Sequence, residues 1–340
     1  MSGQWYFPSF QNNQNQDVDS VIMSDTHSQV EEKEEYDEAI TMTVVGDIML
    51  DRFVRKKIDA AGWEYLFENI QRFLIGADIV VGNLEGTITD TSTRSTKPND
   101  VQFTFDPSVA LNLGNEGFTM MSLGNNHTQD FGASGLEATK EYLSEAGIQY
   151  FGDYYNDADA LSFVQEVRGK NVAWVAYHEL TDGDKSGRDR VIEEIVRLQS
   201  ETDVVMVFCH WGIEYRSQYS ESQQTAAHAF VDAGADMVIG AHPHVVQGTE
   251  VYKDTAIFYS LGNFIFDQIQ PLTNVGIALG VTYTPEEISI LLLPIQLRSI
   301  QLNLLRGEEK KDVLEYIIEY SPTLDLAQQQ QIRLGYLLLP

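Results

Sequence analysis

Residues 234–244 read Gly-Ala-Asp-Met-Val-Ile-Gly-Ala-His-Pro-His. A short apolar run, residues 237–239, has the length of a buried strand and is followed by two histidines that flank a proline. Two histidines separated by one residue directly after a strand form a common metal-ligand spacing. This stretch therefore predicts a buried strand that leads into a metal site.

The same order, an apolar run followed by a polar cluster, occurs at four other places: Gly46-Asp47, Gly82-Asn83-Leu84-Glu85, Gly124-Asn125-Asn126-His127 and His210-Trp211-Gly212. Four of the seven histidines lie in these clusters and in the 234–244 stretch, beside carboxylates and amides. Such side chains are the ligands that divalent metals select. In an open α/β sheet, ligands bind beyond the carboxyl ends of parallel strands, so clusters far apart in the sequence can converge on one site.

The pattern from residue 41 onward predicts the α/β fold class. Apolar runs of strand length alternate with helical stretches, as in a mostly parallel sheet covered by helices. One helix is predicted over residues 133–146, with Gly147 as its left-handed cap. Another begins at Ser220, whose hydroxyl can cap the first turn, and ends near Gly234. The predicted strands are residues 41–45, 79–81, 119–123, 172–177, 204–209, 237–239 and 256–261.

The two ends of the chain differ from this pattern. Residues 1–38 are rich in Gln, Asn, Asp and Glu without periodicity, which predicts a disordered acidic tail or tether. Residues 286–304 predict an antiparallel strand pair interrupted at Pro294, and residues 310–320 predict a helix. We therefore expect residues 39–340 to form a single domain that ends in these strands and this helix.

The composition restricts the class of partner. With 51 acidic and 22 basic residues, the formal net charge is −29, which suits a protein that binds cations. A nucleic acid or an anionic membrane requires a basic face, so neither is expected as a partner. Apolar runs fall short of the roughly 20 residues that cross a bilayer, and the start of the chain does not resemble a secretory signal, so neither a transmembrane segment nor a signal is expected. The single cysteine, Cys209, excludes an intrachain disulfide and lies in an apolar run, which predicts a buried core side chain.

The first two clusters offer carboxylate and amide ligands. Asp47 is either a metal ligand or the cap of the next helix. Asn83 and Glu85 lie two residues apart, so in extended geometry they face the same way and can reach one ion together. Arg52 offers a planar guanidinium that can bind a phosphate or a carboxylate with two hydrogen bonds.

The later clusters add amides and imidazoles. Asn125, Asn126 and His127 supply metal ligands or, as the alternative, a hydrogen-bonded turn. His210 is either a ligand or a structural histidine. His178 lies outside comparable clusters, so it is interpreted as structural.

Together these clusters resemble the CapA family of capsule and poly-γ-glutamate biosynthesis proteins, a branch similar to calcineurin-like metallophosphoesterases. The motifs are Gly-Asp-Ile-Met-Leu at 46–50, Gly-Asn-Leu-Glu at 82–85, Gly-Asn-Asn-His at 124–127, His-Trp-Gly-Ile-Glu-Tyr at 210–215, Gly-Ala-His-Pro-His-Val-Val-Gln-Gly at 240–248 and Tyr-Ser-Leu-Gly-Asn-Phe at 259–264. The resemblance covers residues 41–268. It implies a metallophosphatase-like, four-layer α-β-β-α sandwich with two central sheets and a metal site at one sheet edge.

The resemblance also implies the metal ligands, which correspond here to Asp47, Asn125, His210, His242 and His244. Two positions depart from the phosphoesterase motifs. Met49 stands where a histidine is expected, and Asn83 occupies the position of a bridging aspartate, with Glu85 as a nearby substitute. A thioether is a poor ligand for hard ions and a neutral amide bridges two cations weakly. The resemblance therefore implies one or two divalent ions, Mn, Zn or Fe, in an altered ligand set.

The catalytic candidates are His127, Asn126 and Arg52. In phosphoesterases, a histidine that protonates the leaving group follows the ligand asparagine, whereas here Asn126 follows and His127 comes one residue later. Arg52 would bind the negative charge of the substrate, and His127 would act as general acid or base.

Three functions remain open. The first, implied by the resemblance, is a role in synthesis, export or anchoring of a poly-γ-glutamate-like capsule at the outer face of the cell membrane, without an anchor in this sequence. Its partners would be an anionic polymer or phosphorylated substrate and membrane synthase subunits. The second is a metal-dependent phosphoesterase or hydrolase that acts on a phosphate ester or an amide. The third is a non-catalytic, cation-dependent binding module.

Overall fold

The computed structural model of this chain describes residues 39–90, 101–180 and 185–340. The tail predicted over residues 1–38 lies outside these residues. The described strands are β1 (Ile40–Ile48), β2 (Ile79–Leu84), β3 (Thr87–Ile88), β4 (Thr104–Phe105), β5 (Met120–Ser122), β6 (Gln149–Phe151), β7 (Ser162–Val167), β8 (Lys170–His178), β9 (Val204–His210), β10 (Met237–Ala241), β11 (Thr249–Tyr252), β12 (Thr255–Phe258), β13 (Asn263–Ile265), β14 (Val275–Tyr283), β15 (Ile288–Arg298), β16 (Gln301–Leu304) and β17 (Tyr336–Leu339). The described helices are α1 (Arg52–Ala61), α2 (Glu64–Phe67), α3 (Gln71–Leu74), α4 (Ser108–Asn115), α5 (Gly132–Glu145), α6 (Lys185–Gln199), α7 (Glu221–Ala233), α8 (Gly307–Glu319) and α9 (Leu326–Leu334).

The first large sheet has the strand order β16-β15-β14-β1-β2-β5-β6, with β13 beside β1 and β17 beside β15. Strands β1, β2, β5, β6 and β13 run parallel to their neighbours in this group, whereas β14 and β15 are antiparallel. The register places Asp47 opposite Asn83 on one side and opposite Asn263 on the other. Three polar residues therefore lie in one row across adjacent parallel strands, near the carboxyl ends of β1 and β2 and at the start of β13.

The second large sheet has the order β11-β12-β10-β9-β8-β7, in which β8, β9, β10 and β12 are parallel. Its register places His210 opposite His178 and opposite Ala241, the last residue before His242. The carboxyl ends of these strands therefore carry a row of histidines.

Three buried clusters define the layers of the described part of the chain. Between the two sheets, Met42 and Val81 of the first pack with Trp174, Met206 and Phe208 of the second. Leu314, Ile317 and Ile332 of the C-terminal helices also join this inner cluster. Apolar side chains that face away from the partner sheet need cover, because exposed apolar area costs about 25 cal/mol per Å².

Helices supply that cover on both outer faces. Leu113 and Leu143, from α4 and α5, belong to the cluster that packs on Val80 and Met121 of the first sheet. Ile195 and Phe230, from α6 and α7, belong to the cluster on the outer face of the second sheet. The described residues therefore form the expected α-β-β-α sandwich of four layers, and the predicted α/β class is confirmed.

The predicted helices agree with the structure, with small shifts of their ends. Gly147 follows α5 with a φ of 74°. Ser220 caps α7 by accepting a hydrogen bond from the Gln223 amide, and the Gln223 side chain accepts one from the Ser220 amide in return. The C-terminal helix, predicted at 310–320, is found at Gly307–Glu319. Cys209 is buried in the core, as predicted.

The prediction that Pro294 interrupts the C-terminal strands is wrong. Pro294 lies within β15, opposite Ile277, and the turn of the strand pair falls between Arg298 and Gln301. On the other side of β15, β17 pairs up to Leu291 and β16 begins to pair at Ile295. Pro294 therefore lies in the gap between β17 and β16, where no described partner strand requires its missing N–H. The sheet loses few hydrogen bonds as a result.

Among the described residues, none of the helices combines the length and apolar character needed to cross a bilayer.

Candidate metal centre

The polar clusters that follow the strands lie close together in space. Asp47 and Asn83 come from the first sheet, and His210, His242 and His244 come from the second. The His210 and His242 rings are 4.7 Å apart between centroids, and those of His242 and His244 are 5.7 Å apart. Both sheets therefore direct the carboxyl ends of their parallel strands to one edge, as the sequence predicts.

Asp47 lies at the centre of this group and is fully buried. It accepts hydrogen bonds from Nδ2 of Asn83 at 2.8 Å and from the His242 amide at 3.1 Å, and Nδ1 of His244 lies 3.2 Å from its Oδ2. Burial alone would raise the pKa of Asp47, but His244, Asn83 and the His242 amide together lower it. The alternative role as a helix cap is wrong, because the α1 cap is Asp51.

Glu85 presents a second buried carboxyl group. Neither of its oxygens accepts a hydrogen bond from any residue that the structure describes. Oε1 lies 3.6 Å from Nε2 of His244 and 3.7 Å from Nε2 of His127. Burial raises the pKa of Glu85 well above its ordinary value. A buried polar atom without a partner is costly, and a cation would satisfy it.

Asp47, Glu85 and His244 form a candidate ligand group, since one donor atom of each lies within 4.8 Å of the others. Burial opposes a charge on His244, but the carboxyl groups of Glu85 and Asp47 outweigh burial and raise the pKa of His244 to about 9. The raised pKa therefore favours a protonated His244 beside Asp47 when no cation is bound. The residues present fit a divalent metal, which would replace this proton.

The two asparagines are linked to each other and to this group. Asn83 donates from Nδ2 to Nδ1 of His210 at 3.2 Å as well as to Asp47, and its Oδ1 accepts from Nδ2 of Asn125 at 2.9 Å. Asn125 also donates to the Leu84 carbonyl and accepts from the His127 amide at 3.0 Å. Asn125 thus forms the hydrogen-bonded turn that the sequence left as an alternative to a metal ligand.

His210 and His242 are buried in uncharged form. Burial, together with the neighbouring His242, lowers the pKa of His210 well below its ordinary value, and burial with His244 lowers the pKa of His242 to about 3. His210 donates from Nε2 to Oδ1 of Asn126 at 2.7 Å. Nδ1 of His242 is buried without a hydrogen-bond partner in the described part of the chain. A neutral imidazole is the form that binds metal.

The loop that carries His242 and His244 has an unusual backbone. The φ angles are 93° at His242 and 59° at His244, both in the left-handed region that residues with a side chain seldom adopt. Such strain persists only where the surrounding structure imposes it, and it concentrates at binding and catalytic sites.

His127 lies at the edge of the group with its side chain 15% exposed. Its Nδ1 donates to Oδ2 of Asp130 at 2.8 Å, and the same oxygen accepts from the Phe103 amide at 2.7 Å. The Phe103 ring also packs on the imidazole, with 4.3 Å between centroids. This arrangement leaves Nε2 of His127, 3.7 Å from Glu85, as the nitrogen that can accept a proton.

Arg52 is engaged by neighbouring residues. It forms an ion pair with Asp267, which also accepts from the Phe53 amide at 2.9 Å. Its guanidinium carbon lies 5.0 Å from the centroid of the Phe103 ring and 5.5 Å from that of Phe266. The Asp267 carboxylate therefore offsets the charge that was expected to bind the substrate.

Four residues near the site were not predicted to act there: Asp130, His178, Glu214 and Asn263. Asn263 accepts from Nδ1 of His244 at 3.0 Å and lies in a quoted motif without an assigned role. His178 lies 5.8 Å from the His210 ring, and its Nε2 is buried without a partner among the described residues. His178 ends a strand just as His210 does, and this position was the signal that could have identified it.

The comparisons with known proteins agree on one family. The family model described as "Bacterial capsule synthesis protein PGA_cap" matches residues 41–268. The "Capsule biosynthesis protein CapA" of Bacillus anthracis is 34% identical over 254 residues, which cover 69% of this chain and 62% of that protein. The "PGA biosynthesis protein CapA" of Bacillus subtilis (strain 168) is 30% identical over 245 residues, which cover 68% of this chain and 64% of that protein.

Among solved structures, a hypothetical protein from Thermus thermophilus aligns with 78% of this chain and 98% of its own, at 15% identity and a TM-score of 0.43. The chain spans less than two thirds of the length of the two curated relatives. The family model, by contrast, covers the whole region that contains the clusters, from Asp47 to Asn263. This chain belongs to the PGA_cap family of bacterial capsule synthesis proteins.

Proposed function

We propose that this protein acts in the synthesis, export or anchoring of an anionic capsular polymer of the poly-γ-glutamate type. We further propose that it does so through one divalent cation held by Asp47, Glu85 and His244. The observation that carries the proposal is the buried Glu85 carboxyl group. Its oxygens accept no hydrogen bond from the described residues, and Oε1 lies 3.6 Å from Nε2 of His244. Family membership supports the polymer as ligand, and the membrane subunits that make or export it are the proposed partners.

The ligand set supports one tightly held cation instead of two. Met49 is fully buried in an apolar cluster, and its sulfur accepts a hydrogen bond from the Asp51 amide at 3.1 Å, so it does not face the site. The Asn83 amide nitrogen donates to both Asp47 and His210, and thereby takes up lone pairs that a second cation would need. Oxygen and imidazole donors suit Mn, Zn or Fe(II).

A bound cation resolves a conflict of charge. The chain has a net charge of −29, which repels a polyanion over the range of a Debye length, roughly 8 Å at physiological ionic strength. Arg52 is already paired with Asp267 and gives little attraction. A divalent cation in the site would attract a carboxylate of the polymer at short range. At this range the direct contact with the cation would outweigh the repulsion between the negative charges of the protein and the polymer.

One observation favours a second function, metal-dependent hydrolysis or transfer at an amide or phosphate ester. A bound divalent cation supplies Lewis acidity toward a carbonyl or phosphoryl oxygen and lowers the pKa of water. His127 is oriented by Asp130 and directs Nε2 toward Glu85, so it can move a proton at that edge of the site. A general acid or base held in this way typically contributes ~10²–10⁴-fold in rate.

The experiment is a binding titration of metal-stripped protein with a γ-linked glutamate oligomer, with and without Mn²⁺. We expect binding only with Mn²⁺, and its loss in Glu85→Gln. Glu116→Gln provides a matched control, because Glu116 is also buried but bonds to the Trp63 indole outside the site. Equal binding with and without metal would refute the proposal. Release of shorter oligomers during the same incubation would support the hydrolytic function.

A further inference from the structure

A third carboxylate lies at the mouth of the same site. Glu214 is exposed. One of its carboxylate oxygens, one ring nitrogen of His242 and one ring nitrogen of His244 all lie within 4.8 Å of one another. This second ligand group shares His244 with the buried group of Asp47 and Glu85. Buried and exposed carboxylates therefore lie near the same imidazole.

The backbone beside Glu214 is held by contacts of Tyr215 with two other loops. The Tyr215 amide donates to the Pro243 carbonyl at 2.8 Å, which ties the loop after β9 to the His242–His244 loop. The Tyr215 hydroxyl accepts from the Gln268 side chain at 3.2 Å, so a third loop braces the same segment. The fold therefore places the backbone of Glu214 next to the His242–His244 loop.

The histidines next to Glu214 have nitrogens available for a ligand. Nδ1 of His244 faces Asp47 at 3.2 Å and Asn263 at 3.0 Å, which leaves Nε2 to bind a cation. A metal-binding histidine commonly donates its other nitrogen to a carboxylate or carbonyl in this way. His242 is 5% exposed, and its Nδ1 has no hydrogen-bond partner within the described chain.

We propose that Glu214 is a further ligand of the cation, which it contacts from the solvent side together with His242. The inference rests on the proposed metal site and adds a donor to it. Glu214 would add an exposed carboxylate to the buried carboxyl groups of Asp47 and Glu85. Because Glu214 is at the mouth, it is the donor that an incoming anionic group of the polymer would replace.

The test uses Co²⁺ as the probe, because its visible absorption reports the ligands around it. In the full chain, we expect Glu214→Gln and Glu214→Asp each to weaken Co²⁺ binding by at least ~10-fold and to change the absorption spectrum. Glu214→Asp retains the charge but shortens the reach, so it separates a ligand from a long-range charge. Glu85→Gln should abolish binding in the same assay.

The control is Glu286→Gln, which removes the same charge from an exposed position. Glu286 lies just after Tyr283, which pairs with Ile40 at the start of β1. Asp47 lies near the other end of β1, about 20 Å from Ile40 at ~3.3 Å per residue. Wild-type affinity and spectrum in Glu214→Asp would overturn the inference, while loss in Glu85→Gln would leave the metal site standing. A wild-type protein that binds no Co²⁺ would instead refute the metal site itself.

Discussion

Oε1 of Glu85 lies 3.6 Å from Nε2 of His244, and both groups are buried at the edge where the two sheets meet. The contact joins a residue that follows β2 in the first sheet to one that follows β10 in the second. Glu85 lies two residues after Asn83 and, together with Asp47, places a second buried carboxyl group beside His244.

Removal of both histidines of the Pro243 loop should remove most of the metal affinity. In the double variant His242→Ala with His244→Ala, the two imidazoles are lost and the carboxylates remain. We therefore expect the affinity of the protein for Mn²⁺ or Zn²⁺ to fall at least ~100-fold while the fold persists. Metal content after dialysis and the far-ultraviolet circular dichroism spectrum measure both effects. His228→Ala is the control, because His228 stacks on Tyr252 away from the site. Equal metal in the double variant and the parent protein would show that these histidines are structural.

Metal affinity should increase with pH. The pKa of His244 is about 9, raised by Glu85 and Asp47 against the effect of burial, so below pH 9 a cation must displace a proton from this imidazole. The proton competes with the metal, and the apparent affinity should therefore rise about tenfold per pH unit up to that pKa and level off above it. Calorimetric titration with Mn²⁺ between about pH 6.5 and 8.5, in buffers of different ionisation enthalpy, measures the affinity and the proton released. An affinity that does not change across this range would contradict the assignment of His244 as a ligand.

Asn83→Asp should convert the site from one cation to two. The substitution replaces an amide that donates to Asp47 and His210 with a carboxylate that faces Asp47. Without metal, the loss of both hydrogen bonds and the repulsion between carboxylates should destabilise the protein by roughly 1–3 kcal/mol. With Mn²⁺, a second ion should offset this loss. Metal stoichiometry and the melting temperature with and without Mn²⁺ measure the effect, and one ion per chain in the variant would refute it.

The same variant tests the weakness of any phosphoesterase activity. Two bridged ions stabilise the negative charge on both the attacking and the leaving oxygen, whereas a single ion cannot stabilise both equally well. We therefore expect the natural chain to hydrolyse p-nitrophenyl phosphate far below the typical ~10 per second, and Asn83→Asp to be faster. The reversion Met49→His is expected to add little on its own, because Met49 packs in the core and does not face the site. Turnover near the typical value in the unmodified protein would instead identify a working enzyme.

The sequence predicted the convergence of the clusters because each cluster follows an apolar run of strand length, and such ends share one edge of a parallel sheet. Asp47, Asn83 and His210 all end apolar runs, and parallel strands bring such ends together. It gave no role to Glu214, although the quoted motif at 210–215 contains this residue, and it did not indicate Asp130. Their distances from the site depend on loop contacts such as Tyr215 to Pro243 and Phe103 to Asp130. Likewise, the pairing of Arg52 with Asp267 joins residues 215 positions apart that lie outside any strand pairing.

Polymer binding should respond to salt in the opposite direction from an ordinary charge-driven complex. The chain carries a net charge of −29 and repels a polyglutamate at long range, whereas the proposed contact between a polymer carboxylate and the cation acts at short range. When NaCl rises from about 0.02 to 0.15 M, the Debye length falls from roughly 20 Å to 8 Å, so the repulsion weakens more than the metal contact. In titrations of the Mn²⁺-loaded protein with a γ-linked glutamate oligomer, affinity should therefore increase severalfold over this range. Glu85→Gln should bind weakly at every salt concentration, and an affinity that falls with salt would show that basic side chains, and not the cation, attract the polymer.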